Sequence, residues 1–170
     1  MTPAAKHPVP DRILTQIGDI TVSFALLSMT TQLLVSELVA QGPRVGGIIT
    51  AELPYKGLRA LAVSLYKERF GEGAGLLELR NLMKRAGLLE EQRNTIQHSF
   101  WAASREANSV TRGKFTSKEK HGFAFSSAVM NEHDLSQIAV QMKELVVEIH
   151  NFLLEASHGV VGIGSKGRNR

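Results

Sequence analysis

The 170-residue sequence contains no cysteine, one tryptophan and two tyrosines. Without cysteine the chain cannot form disulfides, a thiolate zinc site or a cysteine nucleophile. A chain of this length can bury an adequate core as one domain without such cross-links. The lack of cysteine is compatible with a reducing compartment, so we expect a cytoplasmic protein.

The chain has five prolines, and three of them lie within residues 1–10. This segment lacks the apolar core of a signal peptide, so it is predicted to be a flexible N-terminus. Residues 158–170 are rich in glycine, and their Lys166, Arg168 and Arg170 supply three of the four net positive charges. They are predicted to be a flexible basic tail, which leaves residues 11–157 as the folded domain.

Residues 20–36 contain no charged side chain. The run is close to the shortest helix that spans a membrane, but seven of its positions are Ser, Thr or Gln. That polarity favours a helix in the core of the protein. No membrane partner is expected.

Apolar residues recur at spacings of three and four from residue 11 to residue 40, which predicts one long helix. Gly42-Pro43 ends it, and Gly46-Gly47 is predicted to be a loop. Further helices are predicted from about residue 54 to the glycines at 71 and 73, over 76–86 with Gly87 as its cap, over 88–104, and over 134–156.

Residues 110–115 and 123–129 are two short segments separated by a polar, basic run, which predicts a two-stranded hairpin. A hairpin of this size must lean on the helices to be stable. The predicted fold is therefore mainly all-α, an antiparallel bundle of about five helices with a small β-hairpin before the last helix.

The segment Arg93-Asn94-Thr95-Ile96-Gln97-His98 places a guanidinium, a carboxamide and an imidazole within about one and a half helical turns. On a helix over 88–104, Asn94 and His98 are four residues apart, so the amide can orient the imidazole. Trp101 and Arg105 fall on the same polar face. Two plainer interpretations stay open, that Arg93 is a surface cation paired with Glu90 and that His98 is an interface histidine.

An Arg followed by a polar residue and, five places later, by His on a late helix resembles the signature of the HEPN superfamily. The likeness extends loosely over residues 11–156. The resemblance implies a metal-independent RNA endonuclease that works as a homodimer, in which two motif helices meet across a two-fold axis. It also implies a defence or toxin–antitoxin context with an antitoxin or other defence protein as partner, and it includes members that bind RNA or proteins without cleaving.

Within that resemblance His98 is expected to act as general acid or base, Arg93 as the clamp on the phosphate, and Asn94 as the residue that orients the imidazole. The sequence departs from the family at two positions. Ser99 replaces the glycine that often follows the histidine, and Phe100 replaces the tyrosine that is modified in one subgroup. Control by modification of that tyrosine is therefore excluded.

The resemblance implies RNA as the partner. Arg105 to Lys120 contains five basic residues and two acidic ones, a concentration of positive charge that allows contact with a polyanion. The expected nucleic-acid contacts are Trp101, Arg105, Arg112, Lys114 and Lys118. No cofactor motif is present, and no metal site is expected, because the contiguous Glu132, His133 and Asp134 cannot all face one ion. Two alternatives remain: a non-catalytic helical module that binds RNA or a protein, and a purely structural dimerising bundle.

Overall fold

A computed structural model describes residues 8–39, 41–118 and 122–164 of the chain. The elements, in chain order, are α1 (Asp11–Val39), α2 (Pro43–Thr50), α3 (Tyr55–Phe70), α4 (Ala74–Gln97), β1 (Phe100–Ala103), β2 (Ser109–Lys118), β3 (Gly122–Asn131) and α5 (Glu132–Gly164). The three strands form one antiparallel sheet in the order β1-β2-β3, placed before the last helix. This arrangement confirms the predicted mainly α class.

The long helix predicted from residue 11 is α1, and its apolar seam is buried as the spacing indicates. The seam packs against the matching seam of α5 and also contacts α2, α3 and α4. Both seams belong to a single core, whose most completely buried large side chains include Ile13, Ile20, Leu27, Leu34, Leu135, Leu145 and Ile149. The core therefore forms around α1.

The helix α5 begins at Glu132, two residues before the predicted start, because its N-terminus is capped reciprocally. The backbone N–H of Asn131 donates to a carboxylate oxygen of Asp134, and the backbone N–H of Asp134 donates to the side-chain oxygen of Asn131, both at 3.0 Å. Such a pair satisfies two backbone donors that a helix start leaves without partners. At its other end α5 continues to Gly164, past the predicted domain boundary at residue 157.

The predicted flexible segments are only partly covered by the described residues. Residues 1–7 and 165–170 lie outside the described residues. Val9, within the predicted N-terminal segment, is buried in the core.

The prediction of a loop at Gly46-Gly47 is wrong, because these glycines lie within α2. Pro43 occupies the first turn of that helix, where its missing N–H costs nothing. Gly46 is buried against α1, and a Cβ built there would lie 2.6 Å from the Cα of Ser36. Gly46 therefore permits a close approach of two helix backbones at a position where the sequence predicts a loop.

The prediction that Gly87 caps a helix is also wrong. Residues 74–97 form the single helix α4, and Gly87 is buried near its middle. A Cβ there would meet the guanidinium of Arg59 from α3, which donates to the carbonyl of Met83 and to Glu90. Gly87 makes room for the guanidinium of Arg59. Here a glycine within a helical pattern marks a contact between two helices and not the end of a helix.

The prediction of a helix over residues 88–104 is wrong beyond Gln97. His98 is the C-cap residue, and residues 100–103 form β1, a third strand that pairs with β2. Trp101 and Arg105 therefore do not lie on the motif helix. The apolar period of this segment fits a helix, but pairing with β2 satisfies its backbone groups.

One face of α1 is apolar and open to solvent. We call it the outer stripe and define it as Val22, Leu26, Met29 and Leu33, which are 70%, 41%, 50% and 49% exposed. By length and composition α1 is also the one helix in the described part of the chain that could cross a membrane, and 44% of its most apolar window is buried inside the fold. The inner face of α1 packs in the core, whereas the outer stripe has no packing partner among the described residues.

The two glycines of α2 provide a matched test of the packing between α1 and α2. Gly47→Ala is expected to raise the free energy of unfolding by about 0.5–1 kcal/mol, because alanine favours helix and nothing lies within 4 Å of the new Cβ. Gly46→Ala is expected to be less stable than Gly47→Ala by about 1–3 kcal/mol, since its Cβ collides with Ser36. Urea unfolding of both variants measures the difference, and equal stabilities would contradict the close approach.

Candidate functional site around Arg93 and His98

Arg93 is half-buried between α4 and α1, and its guanidinium lies over the ring of Phe24, 4.9 Å from the centroid. The ring itself is fixed, because it makes an edge contact with Tyr55 at 5.0 Å between centroids. Burial raises the pKa of Tyr55 to about 12, so its hydroxyl stays protonated and shares a hydrogen bond with Thr31. Arg93 therefore rests on a rigid aromatic support.

Asn94 holds the other side of this arginine. Its Oδ1 accepts a hydrogen bond of 3.0 Å from Nη1 of Arg93. Among the described residues, the side chain of Asn94 makes no hydrogen bond to His98. The prediction that Asn94 orients the imidazole therefore needs correction. Asn94 orients the guanidinium.

Arg93 has no carboxylate partner among the residues that the structure describes. Glu90, the partner that the plainer interpretation suggested, pairs instead with Nη2 of Arg59 at 3.1 Å. The Nε of Arg93 is buried and has no hydrogen-bond partner in the described part of the chain. A half-buried cation with unused donors costs free energy unless an anion approaches it, so this position suits a phosphate or a carboxylate ligand.

His98 lies at the C-cap of α4, and its side chain is exposed. Its backbone N–H donates to the carbonyl of Asn94, which closes the last helical turn and fixes its position relative to Arg93. The imidazole makes no hydrogen bond or ion pair among the described residues. The ring is therefore accessible to a ligand from solvent.

Gln97 links the same turn to α1, because its Nε2 donates to Oγ1 of Thr21 at 3.0 Å. Arg93 and Gln97 are one turn apart, and they contact α1 residues that are also one turn apart. At 100° per residue, Thr21 lies about 110° and Phe24 about 170° around α1 from the centre of the outer stripe. The motif therefore contacts α1 on sides other than the outer stripe.

Arg112 reaches the same end of α4 from the sheet. Its Nη1 donates a hydrogen bond of 3.3 Å to Oγ of Ser99, the residue that follows His98 in the chain. It has no ion-pair partner in the described part of the protein. The structure thus brings Arg112, an expected nucleic-acid contact, beside the motif.

Trp101 is directly opposite Arg112 in the β1–β2 ladder, and its side chain packs against the core. Its indole Nε1 donates to the carbonyl of Ile96 at 3.2 Å. This side chain caps the end of α4 and is half-buried, so its expected position on a polar helical face is wrong. Its role here is structural.

The other expected contacts with nucleic acid are spread over the sheet. Arg105 is exposed in the turn between β1 and β2. Lys114 is half-buried on β2, on the face that it shares with Arg112, and Lys118 ends β2 with a side chain outside the described ones. The structure does not gather these three residues into one patch with Arg93.

A groove of about 610 Å³ runs between α4, α5 and the inner face of the sheet. Arg112 lines it together with Glu91, Gln92 and Asp134, whereas Arg93, Asn94 and His98 do not. Nowhere in the described ranges do three or more His, Asp or Glu side chains converge in a way that could hold a metal ion.

Sequence reasoning missed the residues that position the motif, namely Phe24, Tyr55 and Thr21. All three lie on helical faces that read as ordinary core or polar filler, and nothing in their spacing points to α4. Only the packing of α1 and α3 against α4 brings them to Arg93 and Gln97.

No family model matches the chain, and no curated protein or solved structure matches it either. The function must therefore be inferred from the residues of the site.

The two half-buried arginines of this region should respond differently to removal of their charge. Arg93→Met is expected to lower the free energy of unfolding by at most about 1–2 kcal/mol, because it removes a contact with an aromatic ring and leaves no carboxylate behind. Arg59→Met should cost about 2–4 kcal/mol, since it leaves Glu90, only 18% exposed, without its partner.

Urea denaturation of the two variants measures this contrast. A larger loss for Arg93→Met than for Arg59→Met would show that Arg93 is bound to a carboxylate after all, and the anion site would then be ruled out.

Proposed function

We propose that the protein is a metal-independent RNA endonuclease of the HEPN type that acts as a homodimer. The supporting observation is Arg93: a cation without a carboxylate partner in the described structure, held between Phe24 and Asn94. An exposed imidazole, His98, stands just over one helical turn further along the same helix. These are the two kinds of group that phosphodiester cleavage in RNA requires.

RNA contains its own nucleophile, the 2′-hydroxyl, so cleavage does not need an activated water. The 2′-oxygen attacks the adjacent phosphorus, the bond to the 5′-oxygen breaks, and a 2′,3′-cyclic phosphate and a 5′-hydroxyl form. The step needs a base for the 2′-proton, an acid for the leaving oxygen and a cation for the charge on phosphorus. His98 supplies proton transfer, and Arg93 supplies the cation through its planar fork.

One protomer offers one imidazole at the motif, whereas the reaction uses both a base and an acid. Two copies related by a two-fold axis would place two His98 and two Arg93 side chains around one phosphate. Catalysis would then depend on association. The resemblance to the HEPN superfamily implies the same arrangement, in a defence or toxin–antitoxin setting.

The outer stripe of α1 is the surface that we assign to the second copy. The stripe belongs to a helix with no charged residue between Asp19 and Glu37, so two copies can face each other without like-charge repulsion. A helix of 29 residues is about 43 Å long, which allows a continuous seam between two α1 helices.

A second candidate function is a module that binds RNA without cleaving it. The observation in its favour is the basic character of the sheet and its turns, where Arg105, Arg112, Lys114 and Lys118 outnumber the acidic residues. Such a module would retain RNA in a salt-sensitive manner and would not need His98.

The two candidates differ in an assay with RNA and EDTA. The wild-type protein is expected to cleave single-stranded RNA and to leave 2′,3′-cyclic phosphate ends. Arg93→Ala and His98→Ala should each lower the rate by about 10²–10⁴-fold, because each removes a group that acts in the transition state. His150→Ala, which removes an exposed histidine of α5, is the matched control and should leave the rate unchanged.

Product ends are identified by their resistance to ligation and by mass. If purified protein shows no cleavage under these conditions, or if His98→Ala cleaves as fast as the wild type, the nuclease proposal is refuted. Retention of RNA without turnover would then favour the binding module.

Association through the outer stripe is tested by placing a charge within it. Val22→Glu and Met29→Glu are expected to convert a dimer into monomers and to abolish cleavage with the same concentration dependence, because a buried unpaired carboxylate opposes the contact. Leu77→Glu, which changes an equally exposed leucine on α4, should leave the dimer intact. Analytical ultracentrifugation gives the oligomeric state.

Wild-type protein that sediments as a monomer would contradict this interface. Binding of the wild type, but not of Val22→Glu, to lipid vesicles would assign the stripe to a membrane surface instead.

A further inference from the structure

A groove with basic walls lies between α3 and α4. Its volume is about 490 Å³, and its lining includes four cations, Lys56 and Arg59 from α3 and Arg80 and Lys84 from α4. None of the described residues that line it is acidic. We call it the basic groove.

The basic groove is a local excess of positive charge in a body that is neutral as a whole. The chain has 20 Lys and Arg residues and 16 Asp and Glu residues. Four of the basic residues lie within residues 1–7 and 165–170, so residues 8–164 carry sixteen formal charges of each sign. The groove therefore does not reflect a generally basic surface.

Helix geometry brings these cations together. Lys56 and Arg59 are three residues apart on α3, and Arg80 and Lys84 are four residues apart on α4, so each pair lies on one side of its helix. The two helices are joined by residues 71–73 and pack side by side, which places the two pairs at one groove. Like charges so arranged repel one another, and a cleft lined by one sign of charge concentrates counter-ions. An anion in the groove would relieve the repulsion.

The charge that a ligand can use is at Lys56 and Lys84. Arg59 is neutralised by its carboxylate partner, and Arg80 lies 3.5 Å from a carboxylate oxygen of Glu72. Lys56 and Lys84 are exposed, and neither has an ion-pair partner among the residues that the structure describes. The two free cations come from different helices, so a ligand that meets both must carry negative charge at more than one point.

The basic groove and His98 lie on the same side of α4. Arg80 and His98 are eighteen residues apart, which is about five full turns, and Lys84 lies only about 40° from them around the helix. At 1.5 Å per residue, His98 is about 21 Å beyond Lys84, which corresponds to roughly six nucleotides at a rise of 3.4 Å. A polyanionic strand that leaves the groove along α4 would therefore reach His98.

Two carboxylates of α4 lie between Lys84 and His98, and each is turned to another surface. Glu90 is bound to Arg59, and Glu91 lines the separate groove between α4, α5 and the sheet. The path along α4 thus has one exposed acidic residue at its border, against two free cations at its start.

We infer that the basic groove binds the phosphate backbone of a single-stranded RNA and directs the strand along α4 to His98. Lys56 and Lys84 each contact a phosphate. The inference rests on the proposed function only in taking the bound strand to be the one that is cleaved at His98. Contacts with phosphates do not read bases, so the groove adds affinity without selecting a sequence.

The test measures the affinity of a fluorescent 12-nucleotide single-stranded RNA for the full chain by anisotropy, at several salt concentrations between about 50 and 200 mM. It is done in the His98→Ala background so that no strand is cut. In the double variant Lys56→Gln with Lys84→Gln, the slope of log affinity against log salt is expected to become shallower by about 1.4, because each phosphate contact on a single strand contributes about 0.7.

Two further double variants serve as controls. Arg44→Gln with Lys143→Gln removes the same amount of charge from exposed residues of α2 and α5 that do not line the groove, and it should leave the slope unchanged. Lys56→Arg with Lys84→Arg keeps both charges and should also retain the slope.

An unchanged slope in the Lys56→Gln and Lys84→Gln variant would overturn the inference, as would an equal change in the Arg44 and Lys143 control or a parent protein that does not bind single strands. Tighter binding of a ten-residue polyglutamate than of RNA would assign the groove to an acidic protein instead. A shallower slope confined to the groove variant supports the inference, even where the wild type fails to cleave and the nuclease proposal is lost. Cleavage by the wild type together with an unchanged slope in the groove variant would keep the nuclease and reject the groove.

Discussion

Every other helix of this protein packs against α1. Its inner seam meets α5 and closes the core, while its flanks contact α3 and α4. The same helix supplies Phe24 to Arg93 and Thr21 to Gln97, so the position of the motif follows from how α4 docks on α1. A change in that docking would move the site, even if each helix kept its own conformation.

The environment of Arg93 removes hydration from its charge and offsets part of the resulting free-energy cost. Partial burial of a guanidinium opposes folding because the charge loses hydration. The ring of Phe24 returns about 0.5–2 kcal/mol through its electron-rich face, and Asn94 accepts one hydrogen bond. The buried Nε has no hydrogen-bond partner among the described residues, so part of the cost is left for a ligand to offset. The Nε of Arg59 is also buried without such a partner, but the charge of Arg59 is neutralised by Glu90.

The molecule separates its surfaces by chemistry. The outer stripe of α1 is aliphatic and uncharged. The outer face of the sheet carries the exposed Phe100, Phe115, Phe123 and Phe125, whereas Arg112 and Lys114 lie on its inner face. Arg93 packs on the core side of α1, at Phe24, and His98 stands just before β1.

The sequence by itself determined the helices whose apolar spacing runs without interruption. The apolar seams of α1 and α5 were predictable, because apolar residues spaced three and four apart fall on one face of a helix, and that face is the one that packs in the core. The place of the sheet before the last helix was predictable too, and so was the arginine–asparagine–histidine spacing. Local chemistry is enough for these features.

Only the tertiary structure decided what each glycine does and where α4 ends. Gly46 and Gly87 look like helix breakers, yet each admits a neighbour, the backbone of Ser36 or the guanidinium of Arg59. Residues 100–103 have a helical period but form β1, because β2 lies alongside and satisfies their backbone groups. Partners distant in sequence made these choices, and no local pattern records such partners.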